Sequence, residues 1–211
     1  MVAGQASRSE NEPRMATKTL NHATAPDWLV GEMPAGYQTR FAEIQRLSAE
    51  MNAMDKMARL LWETGTPLYE AVRDTFASFK FDVDDAPDDA RVIVVKLDPR
   101  RRLLVYVAVA ETAIEKKSPE LATIFKIVHE IAGNGDRAVL VTNVDRTSPP
   151  KSRQSAVSAD AADLLKRLGA NVLPATTLFA LWSQSQQDST RVRTYLDRFH
   201  EQDGGTAPTI G

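Results

Sequence analysis

Apolar residues between positions 38 and 63 recur at alternating steps of three and four: Ile44, Leu47, Met51, Met54, Ala58 and Leu61. That spacing puts them on one stripe of a helix. The run spans barely three heptads. It suits either a helix packed on its own domain or a two-stranded pairing, in which methionines tolerate loose contact. "TGTPLYEAVRDTFASFKFDV" follows, where Thr66 can cap and Pro67 suits the first helical position. Leu68, Val72, Phe76 and Phe79 then line one face of the helix. A short strand at 81–83 ends in the acidic turn "DDAPDDA". "RVIVVKLD" is apolar on both faces, as in a central strand, and "PRR" turns the chain into "LLVYVAVA" to make a hairpin.

Ser118 and Pro119 open a further helix with Leu121, Ile124, Phe125, Val128 and Ile131 facing inward. "RAVLVTN" reads as a buried strand and "RTSPPKSR" as a proline-rich loop. A helix over 158–168 stops at Gly169, "NVLPA" is a short strand, and "TTLFALW" begins another helix. The last helix, 189–200, buries Val192, Tyr195, Leu196 and Phe199. The order helix, three strands, helix, strand, helix, strand, helix predicts an α/β fold with a mixed central sheet flanked by helices. Residues 1–35 are polar and broken by Pro13, Pro26 and Pro34, which predicts a flexible N-terminal arm. The remaining organisation is an amphipathic helix at 36–63, a compact domain at 64–200 and a disordered tail at 201–211.

Composition changes this picture little. The 211 residues carry a formal net charge of -2, so any nucleic-acid binding has to come from a local basic patch. Cysteine is absent, which removes disulfides, thiolate metal sites and cysteine nucleophiles together. No apolar run approaches the ~20 residues needed to span a bilayer, and the first residues lack the apolar segment of a secretory signal. The expectation is a cytoplasmic protein with no membrane contact. His22, His129 and His200 lack ligand spacing, so no metal site and no cofactor is predicted.

Several phrases, in order, resemble one family: "LLWETGTPLYEAV", "RRLLVYV", "RAVLVTN", "PPKSR" and "LPATTLFALW". Together they are similar to the PD-(D/E)XK nuclease superfamily over roughly residues 60 to 183, which implies a restriction-endonuclease-like fold. The family's chemistry needs Mg²⁺, held by oxygen ligands, to activate water and neutralise developing charge. The resemblance implies an Asp on the second strand and a Glu-x-Lys pair on the third. Carried onto this chain, the Asp falls at Val92 or Ile93, the Glu at Tyr106 and the Lys at Ala108. An auxiliary helix acid falls at Tyr69, with Glu70 rotated away by about 100°. The resemblance therefore implies a degenerate site, its strand face made apolar by Leu104, Tyr106, Ala108 and Ala110. Acids that could have migrated to rebuild a site are Glu111, Asp98 and the cluster Asp82, Asp84, Asp85, Asp88 and Asp89.

Three functions follow. The first is a catalytically inactive nuclease-like module that works through protein–protein contacts or a homodimer, with Ile44, Leu47, Met51, Met54 and Leu61 as the contact stripe. The second is a module that holds DNA or RNA without cutting it. Its candidate residues are Arg91, Lys96, Arg100, Arg101, Arg102, Lys116, Lys117, Arg146, Lys151 and Arg153. A divergent Mg²⁺-dependent nuclease is the third and ranks last.

Overall fold

A computed structural model describes residues 29–86 and 91–208. Among them, six strands form one sheet: β1 (Asp82–Asp85), β2 (Val92–Lys96), β3 (Arg102–Val107), β4 (Asp136–Thr142), β5 (Asn171–Pro174) and β6 (Gly205–Thr206). They lie side by side in chain order. The first three pair antiparallel, with Val92 opposite Tyr106 and Lys96 opposite Arg102. From β3 onward every pairing is parallel. The predicted mixed sheet flanked by helices is the observed architecture.

Helices cover both faces. On one face α3 (Gly65–Ser78), α6 (Ala175–Ser185) and α7 (Ser189–Glu201) pack over Ile93, Val95, Leu103, Val105, Val107, Val139 and Val141. On the other, α4 (Pro119–Lys126) and α5 (Ala159–Arg167) pack over Val92, Val94, Leu104, Tyr106, Ala138 and Leu140. Odd and even residues of β2, β3 and β4 thus serve opposite cores, as the period of two requires. Fully buried Phe76 and Phe199 anchor the first core.

Local chemistry sets the helix ends. Ser158 caps α5 by accepting from the amide of Ala161, and Asp188 caps α7 by accepting from that of Thr190. Pro67 sits inside the first turn of α3, which starts two residues earlier than expected, where its missing N–H is harmless. Gly135 lies at φ +89° in the turn before β4, and a Cβ there would sit 2.3 Å from the carbonyl oxygen of Arg100. Only glycine lets those turns meet so closely.

Two expectations need correction. Phe125 is exposed and stacks near His129, with ring centroids 4.2 Å apart, while Ile127 is buried in its stead. The inward stripe runs through Leu121, Ile124 and Ile127, where a π-turn at Ile127–Ile131 begins. The segment predicted as a frayed tail instead adds β6 to the sheet edge. Ala207 donates to the carbonyl of Val172, and Tyr195 donates to that of Pro208.

The chain divides into two compact units, Met1–Ser48 and Ala49–Gly211. The described part of the first holds a single helical turn, α1 (Leu29–Glu32), and the start of α2 (Tyr37–Ala58), where the rings of Tyr37 and Phe41 stack 6.3 Å apart. The predicted arm at 1–28 lies outside the described residues. Among those described, no helix is long and apolar enough to cross a membrane.

Candidate functional site

Gly65 starts α3 at φ +60°, and the first turn of that helix meets the end of β3. Between them lies a cleft of about 230 Å³ lined by Gly65, Thr66, Tyr69, Arg91, Val107 and Val109. The hydroxyl of Tyr69 donates to Asp85 Oδ1 at 2.6 Å, and the Arg73 Nε lies 3.7 Å from the same oxygen. The nearby carboxylate on β1 is thus already held by a phenol and a guanidinium.

The four positions matched to the nuclease motif do not converge here. Tyr69 packs against the core beneath α3, as does Ile93, the alternative place for the Asp, whereas Val92, Tyr106 and Ala108 belong to the core beneath α4 and α5. On β3 the residues that share a face with Tyr69 are Leu103, Val105 and Val107, the last two one step out of phase with the expected pair. A shift of one residue moves every side chain of a strand to the other face. Tyr106 therefore fills an ordinary helix-covered core and does not line a vacated metal cleft.

The acids considered as migrants are also elsewhere or engaged. Asp98 accepts from the amides of Arg100 and Arg101 and from Arg101 Nε at 2.6 Å, which holds its carboxyl down at about 2. It closes the β2–β3 turn, at the opposite end of the sheet from the cleft. Glu111 pairs with Arg146. Asp82 and Asp84 share Lys96 at 2.8 and 2.7 Å. Asp88 and Asp89 lie outside the described residues, and among those described no three His, Asp or Glu side chains are grouped to hold a metal ion.

Two residues unrecognised as structural in the sequence hold the chain that enters α3. Asn143, just past β4, donates from Nδ2 to the carbonyl of Glu63 at 2.8 Å. Arg153 donates to Asn143 Oδ1 at 2.7 Å, to the carbonyls of Ser148 and Arg146, and to that of Leu61. Together they tie the chain entering α3 to the end of β4. Burial pushes the Arg153 guanidinium below its ordinary range. Arg153 is thus a structural clamp.

The remaining basic candidates are split. Lys96, Arg100, Arg101 and Arg102 lie where β3 begins; Arg91, Lys116, Lys117, Arg146 and Lys151 lie beyond its far end. The six residues of β3 separate these groups by about 17 Å. Four of these nine also pair with carboxylates. Arg101 pairs with Asp98 and Asp197, and Arg102 with Asp136, alongside the pairs of Lys96 and Arg146 above. Arg100, Lys116, Lys117 and Lys151 are exposed. The structure brings no single basic patch together from the ten.

The α2 stripe gives a different result. Ile44, Leu47, Met51 and Met54 are 60%, 45%, 64% and 53% exposed, and Met57 is the buried residue of this helix. Among the described residues the stripe is therefore left uncovered. Leu61 departs from it: a 3₁₀ turn at Arg59–Leu61 rotates Leu60 into the core and leaves Leu61 half-buried.

No family model and no curated protein matches the sequence. Among solved structures, the chain is similar to restriction endonuclease FokI bound to DNA, with a TM-score of 0.46 and 11% identity. That match covers 67% of this chain and 29% of the FokI chain.

Proposed function

We propose that the chain is a cytoplasmic, restriction-endonuclease-like module that does not cleave nucleic acid and works by pairing with a second copy of itself through α2. The observation that carries this reading is the exposed stripe of Ile44, Leu47, Met51 and Met54. Its strict three-and-four spacing is the narrow seam of a two-stranded helix pair, where a core-facing helix would carry a wider apolar face. The cleft supports the non-cleaving half. Among the described residues its lining offers Arg91 as the charged group, a cation where Mg²⁺ would need carboxylate oxygen.

Light scattering of the full chain tests the pairing: the expected mass is twice 23.3 kDa, and a 23.3 kDa particle at high micromolar concentration removes it. Supercoiled plasmid incubated with the chain and Mg²⁺ or Mn²⁺ is expected to stay intact. Cleavage that disappears in Asp85→Asn would contradict the reading. The rival view, a module that grips nucleic acid without cutting, would show as gel retardation fading steeply with salt. The split and paired basic residues argue against it.

A further inference from the structure

The carboxyl ends of β4 and β5 enclose a second cavity, of about 160 Å³, separate from the cleft described above. Its walls include Thr142, Arg153, Ser155, Pro174, Thr176 and Thr206. In open α/β sheets ligands sit just outside the carboxyl ends of parallel strands, and Thr142 and Pro174 are the last residues of two such neighbours.

Three features of this cavity call for negative charge. Thr142 is 1% exposed, and its Oγ1 is buried with no hydrogen-bond partner. A buried hydroxyl is rarely left in that condition. The eleven-residue helix α6 starts at the cavity, and Pro174 gives its first turn no side-chain cap. Uncapped N–H groups and the positive end of the helix dipole favour an anion there. Finally, the hydrogen bonds of Arg153 all end on neutral oxygens. Its charge stands on the cavity wall, offset in part by the Asp145 carboxylate, and among the described residues no carboxylate lines the space.

We propose that this cavity binds a phosphate group, held by the Thr142 hydroxyl, the first turn of α6 and the Arg153 side. Donors approach from a strand end, a helix end and the 153–155 loop. Three directions suit a tetrahedral oxyanion better than a flat carboxylate. A divalent cation is disfavoured by the arginine and the lack of acidic lining. The same phosphate chemistry could come from the free ion or from a phosphomonoester.

Calorimetric titration of the full chain with inorganic phosphate, at ionic strength fixed with chloride, tests the assignment. Saturable binding is expected, weakened about tenfold or more in Thr142→Val, which keeps the shape and removes the hydroxyl. Thr176→Ala is a second variant expected to weaken it, by altering the wall at the helix end. Competition by glycerol phosphate would mark the site as one for the terminal phosphate of a larger ligand; its failure to compete would mark free phosphate. Absence of phosphate binding, or equal affinity in wild type and Thr142→Val, would overturn the proposal and leave Thr142 facing water only.

Discussion

Replacing Arg153 with alanine lowers the free energy of unfolding by about 3 kcal/mol, read from urea denaturation of the full chain. The guanidinium reaches across 92 positions of sequence to the carbonyl of Leu61 and also holds Asn143, whose amide in turn holds Glu63. Hydrogen bonds from a charged donor contribute roughly 1.5–3 kcal/mol each, and removing the donor strands carbonyl oxygens that it had satisfied. The cost of desolvating the guanidinium, visible in its lowered pKa, offsets part of that sum. Arg153→Lys should recover less than half of the loss, because an ammonium cannot reproduce a planar fork with fixed donor directions. A change below about 1 kcal/mol would show that the clamp is not holding the entrance to α3.

Leu47→Glu combined with Met51→Glu should abolish pairing while leaving helix content intact. Both positions are exposed in the single chain, so neither substitution disturbs its core. Glutamate also has a helix propensity close to that of leucine and methionine. Burying a leucine or methionine side chain contributes about 1.5–3 kcal/mol, and a symmetric pair loses each contribution twice. The two changes together weaken association by at least about 4 kcal/mol, on the order of a thousandfold. Glu43 and Glu50 already flank the seam, so the added charges also repel their neighbours. Sedimentation equilibrium reads the result, with circular dichroism as the check on folding. Unchanged association in the double variant would place the contact elsewhere.

The strand order was legible because the apolar runs at β2, β3 and β4 are bounded by clear turn residues, such as Pro99 and Gly135. The face of each strand residue was not. "LLVYVAVA" is apolar on both sides, so it carries no alternation to say whether Tyr106 or Val107 looks toward α3. That choice is made by helices packing on the sheet, and it decides where the candidate cleft lies. The glycines at 204 and 205 read locally as a frayed end, yet the edge of β5 supplies the partners that order them. Arg153 sits in a proline-rich loop and looks like a surface cation, because its partners at Leu61 and Asn143 are far along the chain. For α2 the periodicity was plain, but a stripe of this width is compatible with either internal packing or a partner. Only the exposure of Ile44, Leu47, Met51 and Met54 separates the two.

The absence of native cysteine makes a direct test of self-pairing practical, since each single-cysteine variant carries one thiol per chain. Met51→Cys and Met54→Cys lie in the middle of the stripe, while Ala49→Cys and Lys56→Cys lie on the opposite side of α2. A disulfide forms only where the two Cα atoms come within about 7 Å. Under mild oxidation, cross-linked dimer should accumulate at 51 and 54 and not at 49 and 56 when the two helices run parallel and in register, where identical positions face each other. Equal yields at all four positions, or faster cross-linking on the back of the helix, would contradict pairing through α2.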